Sequence, residues 1–290
     1  MRDIRENQLP AFIAGYGLVI LTHLFGLLLM RRVKFQPTNQ RILLMHLAFA
    51  ELIYNLYQLL VYILYMMNQC DKPSSCNYAN AFFFFFLGTT NKFIMIYLII
   101  DRLLDIRLHL RYPLYFTEQR VKNVLRAIWL FCGTYATIMV VLIRFNIGGD
   151  PLAWVYYTFY VGSDILIFIC ALITYSFLYI KVRRFCAIDN SHRIAGGSSN
   201  IKVSNKAKFL LPCLIIATYL VFNITANVMF LLKHFVMKNG YAKSIVSEIS
   251  HWFWIFGHLS DGVIYIFLQK DIKKKLLSIF EKKSIAIAPA

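Results

Sequence analysis

The chain has 290 residues, of which 59% are hydrophobic and 16% charged, with a formal net charge of +17 and a mean hydropathy of +0.58. That is too apolar for a soluble domain with an ordinary polar surface. The excess of Lys and Arg is dispersed over several connecting segments rather than gathered on one soluble face, which argues against a nucleic-acid-binding protein.

A bilayer core about 30 Å thick takes roughly 20 apolar residues per helical span. Read in chain order, the sequence offers seven such runs, at 10–30, 42–67, 78–103, 122–143, 154–181, 207–233 and 245–268. Each is expected to be helical, because a lipid-exposed segment must satisfy its own backbone polar groups. A shorter amphipathic stretch, "QKDIKKKLLSIF" at 269–280, suits the membrane surface. The Gly-, Ser- and Asn-rich stretch 189–206 reads as the one flexible linker. The expectation is an all-α, single-domain, seven-transmembrane bundle over residues 1–290, with a short eighth helix.

Charge sets the orientation. Residues 1–10, 68–78 and 144–153 each balance acids against bases, and 233–248 carries three lysines and one glutamate. The alternate connections are basic: Arg31, Arg32, Lys34 and Arg41; then 99–120; then 181–208; then the lysine-rich tail. Basic loops collect on the cytoplasmic side, which places the N-terminus outside and the tail inside. The same charges suit contact with anionic membrane lipids. "MRR" after the first run is a stop signal, so that run is expected to remain as a helix.

Motifs now enter in order. "LMHLAFAEL" spans 44–52, "DRL" begins at Asp101, and "RYPLYFTEQR" follows at 111–120. Trp129 lies 27 residues beyond Arg102, and "SDGVIYIFLQKDIKKKL" spans 260–276. On these landmarks the chain resembles the rhodopsin-like (class A) G-protein-coupled receptors, as a divergent orphan-type member. Glu51 stands where that family has Asp, Leu103 replaces the Tyr of Asp-Arg-Tyr, and Asp261-Gly262 replaces Asn-Pro. The resemblance implies a receptor, not an enzyme, that senses an extracellular small molecule, lipid or short peptide and activates a heterotrimeric G protein.

It also implies roles for residues. Asp101 would hold Arg102 at rest, and Arg102 would turn toward Tyr175, Tyr265 or an entering peptide when the bundle opens. His23, Glu51, Asn91 and Asp261 would form a mid-membrane polar cluster that holds either a sodium ion or a proton. Lys92 lies ten residues before Arg102 and Asp164 eleven before Tyr175, so the two share a depth and can pair. An aromatic pocket would use Phe84, Phe85, Tyr160, Trp252 and Trp254, with His251 and Asn227 as polar contacts. Phe84 falls where aminergic receptors carry an acid, and Ile255 where opsins carry the retinal lysine, so neither amine recognition nor retinal is expected.

Departures from the family matter too. Its span prolines are absent, with Ile167, Thr225 and Gly262 near the three sites, so the resemblance does not locate the activation hinge. The usual outer-loop disulfide is absent, and Cys70–Cys76 is a candidate local bridge instead. Serine is scarce after the eighth helix, which implies weak arrestin recruitment. Two alternatives stay open. One is a seven-span zinc hydrolase using His251, His258 and Asp261 with His23 or His46, and the other is a receptor-like protein that does not couple.

Overall fold

A computed structural model describes residues 2–32, 38–67, 75–108, 111–145, 162–174, 176–177, 180, 214–235 and 240–267. Among them no strand occurs. The helices are α1 (Arg2–Arg32), α2 (Thr38–Met66), α3 (Ser75–Leu108), the single turn α4 (Tyr112–Tyr115) and α5 (Glu118–Arg144). There follow α6 (Gly162–Thr174), α7 (214–235) and α8 (Gly240–Phe267).

Among the described residues four segments are long and apolar enough to cross a membrane: Gln8–Arg32, Asn39–Leu64, Ala81–Asp105 and Glu118–Arg144. α6 and Leu214–Met229 are apolar but shorter within the described residues. α8 has the length, but Glu248, His251, His258 and Asp261 dilute its apolar run. The amphipathic stretch 269–280 and the linker 189–206 lie outside the described residues.

Helical periodicity explains which faces pack. In α1, Tyr16, Val19, His23 and Met30 are buried, while Leu18, Leu21, Leu24 and Leu28 are exposed. Both faces are apolar, so the exposed stripe suits lipid rather than water. α5 is the most peripheral long helix, with Leu130 73% exposed, and only 17% of its apolar window is buried. Its start is fixed locally: the Thr117 side chain accepts from Arg120 N–H at 3.4 Å, and Glu118 complements the helix N-terminus.

α1 packs on α2 and α8, α3 on α2 and α5, and α7 on α8. One core runs along the bundle, with Leu43 and Leu47 of α2, Ile94 and Leu98 of α3, Ile167 and Ala171 of α6, Ile215 and Tyr219 of α7, and Tyr265 of α8. Two glycines permit close approach. A Cβ on Gly262 would lie 2.6 Å from Thr22 Oγ1 and 3.1 Å from His23 Nδ1, so α8 meets α1 nearly backbone to side chain there. A Cβ on Gly257 would lie 3.0 Å from Phe222 Cβ, which lets α7 close on α8. Gly262 therefore serves helix approach, a use of small residues common between membrane helices.

α7 is not uniform. Tyr219–Ile224, "YLVFNI", forms a π-helical turn that passes into α-helix at Thr225. Such turns widen the helix by one residue and are common at functional sites.

Candidate functional site

Among the described residues three polar centres lie inside this largely apolar bundle. The first ends α3. Arg102 is 3% exposed and Asp101 fully buried. The Arg102 Nε–H donates to Asp101 Oδ2 at 3.0 Å, and one terminal nitrogen donates to the same oxygen. The other terminal nitrogen donates to Asp105 Oδ2 at 3.4 Å and reaches Gln40 Oε1 at 3.5 Å. Tyr112 of α4 donates its hydroxyl to Asp101 Oδ1 and stacks on Phe116, with centroids 5.1 Å apart and planes 4° from parallel. Phe116 is tied to α2 in turn, because Asn39 Nδ2 donates to its carbonyl at 2.5 Å. Burial and the adjacent Asp101 charge push the Tyr112 hydroxyl well above the usual tyrosine range, so it remains a donor. A buried guanidinium held on several sides costs little only because each donor finds an acceptor.

The second centre joins α3, α6 and α7. Lys92 Nζ donates to Asp164 Oδ1 at 2.9 Å, with both side chains buried. Tyr219 Oη donates to the same oxygen at 2.9 Å, and Asn227 Nδ2 donates to Oδ2 at 2.8 Å. Asp164 thus neutralises the lysine and holds α7 at the start of the π turn, through Tyr219, and three residues beyond its end, through Asn227.

The third centre joins α1, α2 and α8. His23 Nε2 lies 2.6 Å from Glu51 Oε2, and His258 Nδ1 lies 3.7 Å from Glu51 Oε1. Thr218, just before the π turn, donates to Asp261 Oδ1 at 2.6 Å. Asp261 Oδ2 and the Tyr265 hydroxyl find no hydrogen-bond partner among the described residues, although Glu51 interacts electrostatically with both. The Tyr265 ring stands edge-on to His23, 5.9 Å away at 83°.

A cavity of about 40 Å³ lies between the second and third centres, lined by residues that include Glu51, Phe84, Asn91, Lys92, Tyr219, Asn223, Asn227, Trp254 and His258. Water needs about 10–15 Å³ of such space, so a few waters fit, whereas drug-sized ligands occupy about 300–1,000 Å³. Asn91 Oδ1 and Asn227 Oδ1 are buried without a hydrogen-bond partner among the described residues.

Not every expected pocket residue faces this cavity. Phe84 and Trp254 do, with ring centroids 6.1 Å apart. Phe85 instead packs toward α5, beside Ala136, Met139 and Tyr135, because one helical residue turns the side chain by about 100°. Trp252 packs on Phe12 of α1 at 5.0 Å, and His251 lies 2.7 Å from the Ser247 carbonyl and 6.0 Å from the Phe12 ring. Asn227 serves the Asp164 network as well as the cavity. Tyr175, Tyr160 and Cys70 lie outside the described residues, as does the side chain of Cys76. Among the described residues no group of three or more His, Cys, Asp or Glu is placed to hold a metal ion.

Sequence reasoning missed Gln40, Asp105 and Tyr112 around Arg102, and Thr218 and Tyr219 on α7. A scan against protein-family models finds no match for the chain, and a search of curated proteins finds none either.

Proposed function

We propose that this chain is a rhodopsin-like seven-span receptor, with its N-terminus outside, that activates a heterotrimeric G protein in the plasma membrane. The observation that carries the reading is the buried Asp101–Arg102 pair at the end of α3, closed by Tyr112 of the following loop helix. An interfacial anchor would leave its guanidinium toward headgroups. Here it is buried and held by Asp101, Asp105 and Gln40. That is an arrangement suited to a resting state from which the arginine can be released.

The π turn of α7 supplies what the absent prolines leave open. It interrupts α7, fastened to α6 through Tyr219–Asp164 and to α8 through Thr218–Asp261. Helices bend at π turns as they do at prolines. In this reading a small ligand entering beside Phe84 and Trp254 enlarges the cavity and loosens those ties. The segment of α7 before Tyr219 then swings outward at the cytoplasmic face, Arg102 leaves Asp101, and the G protein enters. A two-state shift of this kind needs only a ligand that binds the open form better.

The test is a G-protein dissociation panel in cells expressing the chain, run with a small-molecule and lipid library. Coupling is expected for the wild type and is lost in Arg102→Ala at equal surface expression. Equal output from Arg102→Ala and wild type would end the receptor reading.

A further inference from the structure

The hydrogen-bond geometry of His23 fixes how many protons it shares. Its Nδ1 lies 2.9 Å from the Val19 carbonyl oxygen, and a carbonyl only accepts, so Nδ1 carries hydrogen. In a neutral imidazole the other nitrogen is then an acceptor. That nitrogen, Nε2, faces Glu51 Oε2 at 2.6 Å, and an ionised carboxylate is also an acceptor only. Two lone pairs at that distance repel, and no water intervenes at such a separation. His23 is 0% exposed and Glu51 3%, so solvent does not soften the contact. A proton must lie between them. The pair, whether written as acid plus imidazole or as carboxylate plus imidazolium, then has no net charge, as a membrane interior requires.

We propose that His23 and Glu51 form a proton-binding site, one proton held between Nε2 and Oε2, whose release at raised pH loosens the joint of α1, α2 and α8 and frees the π turn of α7. The released proton passes to water in the adjoining cavity, which Glu51 itself lines. What remains is a carboxylate facing an imidazole lone pair. The ring cannot swing away toward α8, because the Gly262 backbone lies against it; even a methyl group there would sit 3.1 Å from Nδ1. The helices must therefore separate. Asp261 shares the joint, and its bond from Thr218 carries the change to the start of the π turn.

The groups that face this pair from each packed element are accounted for. From α2 come Tyr54 and Asn55; from α3, across the cavity, Asn91 and Lys92, the latter neutralised by Asp164 of α6. α7 brings Thr218 and Tyr219. α8 brings His258, Asp261 and Tyr265.

The proton site itself does not depend on the receptor reading; only its link to signalling does. The test therefore omits the G protein and uses the full chain in lipid nanodiscs. Thermal unfolding is followed from about pH 5.5 to 8.5, a range that brackets the ordinary imidazole value of about 6.5. The sign is fixed by proton counting. Above that value the unfolded residues hold one proton fewer than the folded pair, so stability is complete at low pH and declines as pH rises. The folding equilibrium constant is expected to fall by up to tenfold per pH unit, for one proton. Glu51→Gln brings its own N–H to His23 Nε2, so it should fold with a flattened pH dependence. Hydrogen exchange across 214–224, corrected for intrinsic rates, should rise with pH in the wild type and stay level in Glu51→Gln. A slope equal to wild type in Glu51→Gln overturns the proposal. Should Glu51→Gln fail to fold, nitrogen-15 histidine spectra and carboxyl infrared spectra of the wild type decide together: at low pH either a protonated His23 Nε2 or a protonated Glu51 carboxyl is expected, and an unprotonated Nε2 beside an ionised Glu51 throughout overturns it.

Discussion

Removing the Asp164 carboxylate tests the second polar centre most sharply. The carboxylate accepts from Lys92 and Tyr219 at 2.9 Å and from Asn227 at 2.8 Å. In Asp164→Asn one acceptor oxygen must serve three donors, and the amide nitrogen faces at least one of them. The Lys92 ammonium loses its counter-charge while 4% exposed. Breaking one partner of a buried ion pair costs about 3–5 kcal/mol in soluble proteins. In membranes individual hydrogen bonds average nearer 0.6 kcal/mol, because the unfolded state also finds partners. The charge imbalance dominates here, so about 3 kcal/mol is the expected loss. At roughly 2–4 °C per kcal/mol, the midpoint of thermal unfolding in detergent drops by about 6–12 °C. Lys92→Met alone should cost less, about 2 kcal/mol, since Tyr219 and Asn227 still serve the carboxylate. The double mutant Lys92→Met/Asp164→Asn carries neither charge and should fall within about 1 kcal/mol of Lys92→Met. Strictly additive losses in the double mutant would refute the reasoning, because independent sites add and a buried pair does not.

Gly262→Ala places a methyl 2.6 Å from Thr22 Oγ1 and should cost about 1–3 kcal/mol by overpacking, while Gly17→Ala, with open space, should cost nothing in the same melt. Tyr112→Phe deletes the hydroxyl that holds Asp101 and should raise basal G-protein output about fivefold, for roughly 1 kcal/mol taken from the resting state; unchanged output would count against the resting lock. Thr218→Val keeps the side-chain shape but cuts the tie to Asp261, so hydrogen exchange within 219–224 should quicken at constant pH. If exchange there is unmoved, Thr218 does not restrain the π turn.

Much of the helical framework was legible because apolar runs of span length admit one backbone solution in lipid. The boundaries differ mainly where polar residues flank a run, as at Thr38–Met66 against the expected 42–67. Counted back from Arg102 and Tyr175, which the resemblance sets at one level, Lys92 and Asp164 come to one depth, and the structure brings them into contact. His23 and Glu51 likewise meet, and His258, which the sequence offered only to the zinc alternative, flanks the same carboxyl. The π turn was not legible. "YLVFNI" contains neither Gly nor Pro, and its wider geometry accompanies contacts to Asp164 and Gly257 that are far away in sequence. Tyr112 escaped for a similar reason: its role depends on a one-turn helix that folds back under α3. Phe85 and Trp252 show the limit of pocket assignment by position, since a neighbour one residue along faces another helix.

The central claim is that Arg102 is a releasable switch for a G protein, and the most direct measurement is nucleotide exchange. The purified chain in nanodiscs is mixed with each of a set of purified heterotrimers, and guanine-nucleotide uptake is timed for wild type, Tyr112→Phe and Arg102→Ala. Receptor coupling predicts faster uptake by at least one heterotrimer with wild type, faster still with Tyr112→Phe, and the uncatalysed rate with Arg102→Ala. Uptake at the uncatalysed rate for every heterotrimer with Tyr112→Phe, whose lock is already loosened, would contradict it.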